Sequence, residues 1–289
     1  MKNFDYLEPT TVAEACALLK HHGSEAKVFA GGTQVTILMK QGFYQPTALI
    51  NIKRIPALKG ITFDRVEGLL IGALVTHREL ETSTLVKEKF PVLCEAEREV
   101  ANIRVRNMGT VGGNLASGEP LTDLSQIFIA LDAKLKISGP SGQRSLPVEE
   151  LFVDFYTTNL AEDEIITQVV VPLLPAKSAI EYIRFSSSSV VDKPCAGVAV
   201  RLTLDKEDVR IARIVLGCVG PTPVRARRAE LLITGRKLTA EVVAEAGAIA
   251  SQECSPTSDL RGSEQYKRAI VGTLVKRALT AAYDKALVA

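Results

Sequence analysis

The chain has 289 residues, of which 46% are hydrophobic and 24% are charged, and its formal net charge is +2. This length can bury a sizeable core in one large or two modest domains, and the near-neutral charge excludes the basic field of a nucleic-acid-binding protein. Tryptophan is absent and aromatic residues make up 5% of the chain, which also argues against a surface for stacking bases.

The first 57 residues predict a small α/β unit. Thr11 and Glu14 have the spacing of a capping box, apolar residues then recur at helical spacing, and Gly23 ends this helix. The remaining elements predicted here are a short buried strand at 27–30, a glycine-rich loop at 30–34, a helix at 33–40 and a strand at 47–52.

Residues 58–176 predict a second part of the same domain. A helix is predicted over 84–102, although Pro91 should break or kink it. Pro172 and Pro175 mark the end of this part. The other predicted elements are a hairpin from 61–63 and 69–73, a glycine-rich loop at 110–114, a helix at 124–131 and strands at 134–138 and 164–171.

Residues 177–289 predict a separate, smaller α+β domain with a three-stranded antiparallel sheet and helices. The three strands are expected at 180–186, 197–204 and 209–219, with a turn at 205–208 between the last two. Helices are expected from Pro221 to about residue 234, at 239–253 and from 263 to about 286.

No apolar run approaches membrane-spanning length, and the first residues lack the hydrophobic core of a signal peptide. We therefore expect a cytoplasmic protein, or one exported only with a partner. The five cysteines are scattered and form no C-x-x-C pair, which argues against a zinc or iron–sulfur site on this chain. Buried free thiols in a reducing compartment are the expectation.

Two glycine-rich segments, 30–34 and 110–114, carry the clearest chemical signal. Paired glycines let a backbone approach a ligand closely and turn successive N–H groups inward, which suits a diphosphate. Two such segments suggest one ligand gripped from two sides, such as a dinucleotide. Either segment alone could instead be a tight turn that needs positive φ. No G-x-G-x-x-G follows a strand and no P-loop sequence occurs, so neither of those phosphate sites is supported.

These segments also carry a family resemblance. Ala30-Gly31-Gly32-Thr33-Gln34, then Arg106-Asn107-Met108-Gly109-Thr110-Val111-Gly112-Gly113-Asn114, then Asp123, resemble the FAD-binding medium subunits of the molybdenum hydroxylases, the xanthine dehydrogenase and carbon monoxide dehydrogenase family. Gln34 is the one departure within these motifs. The resemblance extends over essentially the whole chain, through Thr76-His77-Arg78-Glu79, Pro221-Thr222-Pro223-Val224-Arg225 and Ser258-Asp259-Leu260-Arg261-Gly262-Ser263.

The resemblance implies a two-part FAD-binding domain of the vanillyl-alcohol oxidase-like type (also called PCMH) over residues 1–176, divided at 57/58, and a C-terminal domain over 177–289 that covers the flavin. It also implies FAD as the cofactor. Neither glycine segment carries a His or Cys that could form a covalent link, so FAD is expected to be non-covalent. The residues that this assigns to the cofactor are Val28, Phe29, Ala30, Gly31, Gly32, Thr33, Gln34, Val35, Thr110, Val111, Gly112, Gly113, Asn114, Asp123, Ile166 and Arg184.

Several of these residues have a second interpretation. Asp123 could serve only as an acidic residue at a helix N-terminus, Asn114 could bond its own loop, and Ile166 could simply pack in the core. Arg184 stands where relatives usually have Lys, and a solvated strand residue is an equal alternative. His77 is expected to be a structural histidine at a helix start.

The implied partners are a large subunit that holds a molybdopterin cofactor and a small subunit that holds 2Fe-2S clusters, as a dimer of heterotrimers. Electrons would pass through the clusters to FAD and on to an acceptor such as NAD, ferredoxin, quinone or oxygen. No catalytic residue and no metal ligand are assigned to this chain. Two alternatives stay open: a structural scaffold subunit that has lost flavin turnover, favoured by Gln34 and the Ser186–Ser189 run, and a stand-alone flavin reductase.

Overall fold

A computed structural model describes residues 3–187, 189 and 192–289. Its first layer is a small parallel sheet in which β3 lies between β1 and β2, with two helices. The sequence predicted this small α/β unit with two of its three strands and missed β1, which has only three residues. The Thr11 hydroxyl accepts a hydrogen bond from the Glu14 N–H and begins the first helix, and Gly23 ends it. The elements are β1 (Asp5–Leu7), α1 (Val12–His22), β2 (Ala26–Phe29), α2 (Val35–Lys40) and β3 (Ala48–Asn51).

The second layer is an antiparallel five-stranded sheet in the order β4-β5-β10-β6-β7, with a short hairpin, β8-β9, beside it. The sequence missed β7, whose mostly exposed, polar residues show little hydrophobic alternation, and the short hairpin, whose strands have only three and two residues. The strands are β4 (Ile61–Asp64), β5 (Gly68–Gly72), β6 (Lys134–Gly139), β7 (Gly142–Pro147), β8 (Phe152–Asp154), β9 (Thr157–Thr158) and β10 (Ile165–Val171).

Short helices connect β5 to β6 and differ from the sequence expectation in two places. The helix predicted over 84–102 is two helices, because Pro91 cannot donate to the preceding turn and so begins a new one. The glycine segment predicted as a loop contains the start of a helix, which Thr110 caps. The helices are α3 (His77–Thr82), α4 (Thr84–Lys89), α5 (Pro91–Glu99), α6 (Ile103–Arg106), α7 (Val111–Ala116) and α8 (Leu124–Ala130).

The C-terminal sheet has four strands in its described part, in the order β11-β12-β13-β14, and not the predicted three. Pro221 and Pro223 hold the chain extended, so Val224 and Arg225 pair with β13 and the next helix begins later than expected. The elements are β11 (Ser178–Phe185), β12 (Ala196–Asp205), β13 (Asp208–Gly217), β14 (Val224–Arg225), α9 (Arg227–Ile233), α10 (Ala240–Glu253) and α11 (Glu264–Val288).

Helix α8 joins the N-terminal and C-terminal parts of the molecule. It is buried along its whole length and contacts both β12 and β13. Ala199 of β12 and Val215 of β13 pack into the core beneath the five-stranded sheet, whereas the other face of the C-terminal sheet packs on α9 and α11, with α10 behind them. The C-terminal sheet is therefore fixed directly against the helix that begins after Asp123.

The five cysteines are free and buried, as the sequence predicted. Within residues 3–187, 189 and 192–289, no helix combines the length and the apolar character needed to cross a bilayer.

Candidate functional site

A cavity of about 760 Å³ opens where the small parallel sheet, helix α7, strand β10 and the C-terminal part meet. This size is within the range of pockets that hold cofactors. The cavity brings together residues that are far apart in the chain, and all but two of the residues predicted to bind the cofactor line it. Those lining residues are Val28, Ala30, Gly31, Gly32, Thr33, Gln34, Val35, Thr110, Gly112, Gly113, Asn114, Asp123, Ile166 and Arg184.

The two exceptions, Phe29 and Val111, support the cavity wall from behind. The Phe29 ring lies against Gly32, where a Cβ would come within 2.7 Å of the ring, and the Lys53 ammonium lies 4.6 Å from the ring centroid. Val111 is fully buried in the core. Their side chains therefore shape the glycine segments and do not line the cavity.

The first glycine segment follows β2 and lies against the backbone of Met108 and Gly109, directly before the second segment. A Cβ on Gly31 would lie 2.0 Å from the carbonyl oxygen of Met108, so a side chain at this position cannot be accommodated. Gly32 has a φ of +74°, as a tight turn requires. Helix α2 begins at Val35, two residues later than predicted, and has six residues. The close backbone approach between the segments, and not a long helix dipole, is the main structural feature here.

The second segment divides its two glycines between packing and the cavity. The N–H of Gly112 donates to the Ala73 carbonyl over 2.9 Å, and a Cβ on Gly112 would lie 2.6 Å from that of Ala73. At Gly113 a Cβ would meet only the Thr110 hydroxyl oxygen, which also accepts the Gly113 N–H over 3.1 Å. Gly113 is therefore the glycine that leaves space on the cavity side.

Asn114 supplies a buried acceptor that lacks a donor. Its Oδ1 is inaccessible to solvent and has no hydrogen-bond partner among the described residues, although the residue lines the cavity. A buried polar atom without a partner carries a desolvation penalty, which a ligand donor would remove. This orphaned atom and the open space at Gly113 fit a polar, elongated cofactor.

Asp123 and Arg184 form a buried ion pair on the cavity wall. Asp123 Oδ1 accepts hydrogen bonds from the Tyr182 hydroxyl over 2.6 Å and from Arg184 Nε over 3.1 Å. The Arg184 side chain is 4% exposed, so it is not the solvated strand residue of the alternative interpretation. Burial raises the pKa of Asp123, while the Tyr182 hydrogen bond and the Arg184 charge oppose that rise. Sequence reasoning missed Tyr182, although its position two residues before Arg184 places both on one face of β11.

A second polar cluster lies at the edge of the cavity. Glu119 Oε2 accepts hydrogen bonds from Lys193 Nζ over 2.5 Å and from the Tyr156 hydroxyl over 3.1 Å, and all three residues line the cavity. Sequence reasoning missed this cluster because its members come from separate loops and a turn. Of the serine-rich segment at 186–189, Ser188 lies outside the described residues, as do Val190 and Val191 just beyond it.

His77 begins α3 and is structural, as predicted. Its Nδ1 lies 2.9 Å from an oxygen of Glu97, and both side chains are buried. The backbone N–H of His77 donates to the Gly109 carbonyl over 3.0 Å. A Cβ on Gly109 would lie 2.9 Å from the His77 ring. The pair therefore supports the backbone that leads into the second glycine segment.

Comparison with known proteins gives the same assignment as these motifs. Residues 2–174 match the family described as the FAD binding domain in molybdopterin dehydrogenase, and residues 181–282 match the CO dehydrogenase flavoprotein C-terminal domain. The chain is 38% identical to the carbon monoxide dehydrogenase medium chain of Hydrogenophaga pseudoflava, over 98% of each chain. It is 33% identical to the 6-hydroxypseudooxynicotine dehydrogenase complex subunit alpha of Paenarthrobacter nicotinovorans, over 98% of this chain and 96% of that one.

Solved structures agree in fold. A carbon monoxide dehydrogenase structure from Hydrogenophaga pseudoflava, lacking the Mo-pyranopterin moiety of its molybdenum cofactor, contains a chain that superposes with a TM-score of 0.94 at 38% identity, over 98% of both chains. The predicted α+β fold, with an FAD-binding domain followed by a smaller domain, is confirmed, apart from the fourth strand. The chain belongs to the family of FAD-binding medium subunits of the molybdenum hydroxylases, which are parts of oxidoreductase complexes with FAD as the cofactor of this subunit.

Proposed function

We propose that this chain is the electron-transfer subunit of a molybdenum-containing hydroxylase or dehydrogenase. Its FAD accepts electrons from the 2Fe-2S clusters of a small partner and passes them to an external acceptor such as NAD, ferredoxin or quinone. A large partner holds the molybdopterin cofactor and oxidises the organic substrate, and the complex assembles as a dimer of heterotrimers. Membership of the medium-subunit family supports this proposal.

One observation carries the proposal most directly: the first glycine segment lies against the Met108–Gly109 backbone that leads into the second, and both segments open on one cavity. In this arrangement, backbone N–H groups of the first segment would bind the diphosphate of FAD. Those of Gly112 and Gly113 are already bonded to Ala73 and Thr110, so the second segment would contribute the open space at Gly113. Asn114 would accept a hydrogen bond from the cofactor, and Asp123, Ile166 and Arg184 would line its path. His77 lines the cavity but is already bonded to Glu97, which supports non-covalent binding.

Bound FAD supplies the redox chemistry, taking up electrons and releasing them in pairs or singly. The residues of the chain bind and orient it and exclude water from the cavity. No side chain is proposed as an acid, base or nucleophile. We further propose the domain division at 176/177, and a cytoplasmic location in keeping with the five buried free thiols.

An absorbance spectrum of the purified chain, before and after acid precipitation, tests the proposal. We expect flavin bands that move to the supernatant and are identified as FAD. A colourless chain that takes up no added FAD would contradict the redox role and favour the scaffold alternative. Colour that stays in the pellet would contradict non-covalent binding alone.

Substitution of Asn114 should separate cofactor binding from stability. In Asn114→Leu the orphaned acceptor is gone, so the FAD-free chain should unfold with an unchanged free energy or one higher by about 1 kcal/mol. The Kd for FAD should rise roughly tenfold, because one hydrogen bond to the cofactor is lost. Chemical denaturation and flavin-fluorescence titration measure the two quantities. The matched control is Asn107→Leu, an exposed asparagine outside the cavity lining, and equal effects of both changes on Kd would contradict the assignment.

A further inference from the structure

Behind the cavity wall, a continuous series of hydrogen bonds ends at Asp123. The Ser125 hydroxyl donates to Gln126 Oε1 over 3.0 Å, Gln126 Nε2 donates to the Tyr182 hydroxyl oxygen over 3.2 Å, and that hydroxyl donates to Asp123 Oδ1 over 2.6 Å. Since Ser125 has a single hydroxyl proton, Thr122 must donate to Ser125 across their 3.0 Å contact. Every donor in the series therefore points toward the Asp123 carboxylate.

The amide of Gln126 is held in a notch of the C-terminal sheet. Gly197 of β12 and Gly217 of β13 are direct cross-strand partners, so this point of the sheet has no side chain on either strand. A Cβ on Gly197 would lie 2.6 Å from Gln126 Nε2, and one on Gly217 would lie 2.4 Å from Gln126 Cδ. Gln126 is fully buried. The two glycines thus admit the amide and fix its position.

The same notch determines where the Tyr182 hydroxyl lies. Tyr182 is on β11, which pairs with β12, and a Cβ on Gly197 would lie 2.9 Å from the Tyr182 hydroxyl oxygen. The glycine therefore leaves space for both the amide and the hydroxyl, which meet there. From this position the hydroxyl has its proton free for Asp123, because the Gln126 N–H occupies a lone pair of its oxygen.

The charge state of Asp123 depends on these contacts. Asp123 is 6% exposed, and burial raises its pKa by disfavouring the carboxylate. Two groups, Tyr182 and Arg184, oppose this rise without cancelling it, so the pKa of Asp123 stays above its ordinary value and would be higher still without them. The titratable and charged groups that face Asp123 are Tyr182, Arg184, Glu97, Glu99 and Cys218.

We propose that Tyr182, held by Gln126 in the Gly197–Gly217 notch, is a positioning residue that keeps the Asp123 carboxylate ionised and fixed on the cavity wall. Through these contacts, the C-terminal sheet determines the position and charge of the Asp123 carboxylate, which is the hydrogen-bond acceptor available to the cofactor on this wall. This inference rests on the proposed function, since it takes the cavity to hold FAD. It assigns a role to a cross-strand glycine pair, a glutamine and a tyrosine that no sequence motif singled out.

The test compares Tyr182→Phe with Tyr283→Phe in the full-length chain. Tyr283 is the matched control, because it is also in the C-terminal part and its hydroxyl donates to the Glu207 carbonyl over 2.7 Å, away from the lining of the cavity. The Kd for FAD is measured by flavin fluorescence from pH 5 to pH 8. Loss of the Tyr182 hydroxyl raises the pKa of Asp123 further, so the carboxylate is lost at a higher pH than in the parent.

We expect Tyr182→Phe to bind FAD roughly tenfold more weakly at the acidic end, with a smaller difference at pH 8. The Tyr283→Phe profile should follow the parent at every pH. Gln126→Met keeps the Tyr182 hydroxyl but removes the hydrogen bond that holds it, so the pH profile of FAD binding should shift in the same direction. This variant tests the proposal if Tyr182→Phe does not fold.

Two outcomes would overturn the inference in distinguishable ways. If the parent chain binds no FAD at any pH, the proposed function fails and the inference with it. If the parent binds FAD and neither Tyr182→Phe nor Gln126→Met changes the pH profile relative to Tyr283→Phe, only the inference fails.

Discussion

Replacing Gly31 by alanine is expected to weaken FAD binding at least tenfold. The new Cβ would lie 2.0 Å from the Met108 carbonyl oxygen and 2.8 Å from the Gly109 Cα, and neither backbone atom can rotate away. The first glycine segment and the Met108–Gly109 backbone must then separate, at a cost of about 1–3 kcal/mol in strain. Since 1.4 kcal/mol is a factor of ten in affinity, we expect roughly tenfold or greater loss of affinity, measured as the FAD-to-protein ratio after purification and as Kd.

Gly42→Ala is the control for this change. Gly42 also belongs to the first part of the chain, has a φ of +82° and has open space where its Cβ would lie. Alanine there costs about 1–2 kcal/mol of backbone strain without touching either glycine segment. We expect Gly42→Ala to keep its FAD, and Gly31→Ala with the same FAD content would show that the close approach of the segments is not needed for binding.

Removing Glu97 is expected to destabilise the folded chain strongly. Glu97 is 0% exposed and bonds His77 through both carboxylate oxygens, at 2.9 and 3.1 Å. Burial raises its pKa, and the hydrogen bond and charge of His77 oppose that rise. Glu97→Ala leaves a cavity and an unpaired buried His77, so the free energy of unfolding should fall by about 3–5 kcal/mol, measured by urea denaturation.

The same helix offers a matched control in Glu95, which is exposed. Glu95→Ala should change the free energy of unfolding by less than about 0.5 kcal/mol. Glu97→Gln retains an acceptor for His77 and should lie between the two alanine variants. Equal unfolding midpoints for Glu97→Ala and Glu95→Ala would mean that the buried pair does not support α3, α5 and the backbone at Gly109.

Local signals in the sequence were sufficient for much of the fold. Thr11 with Glu14 located the start of α1, and the periodicity of the C-terminal part located three long strands and two long helices to within a few residues. These features are encoded by residues close together in the chain. The errors arose where local signals competed: Pro91 divided one predicted helix, and Pro221 and Pro223 extended the chain into a fourth strand.

The candidate site was predicted in its residues but not in its contacts. The motifs named Gly31, Gly112, Asn114, Asp123 and Arg184, and the fold brings all of them to one cavity. The sequence did not indicate that Gly31 faces Met108, because a glycine pair has the same sequence pattern whether its backbone approaches a ligand or another backbone segment. It left open whether Arg184 is solvated or bound to the cofactor, and it did not indicate the buried ion pair with Asp123.

The sequence by itself determined the family, the cofactor and most of the long strands and helices, because paired glycines, caps and hydrophobic periodicity are local patterns. Only the tertiary structure decided which residues support the site. The Gln126 amide meets Tyr182 because Gly197 and Gly217 fall opposite each other in the β12–β13 register. This register depends on how whole strands pack against each other, and it cannot be predicted from the spacing of residues along the chain.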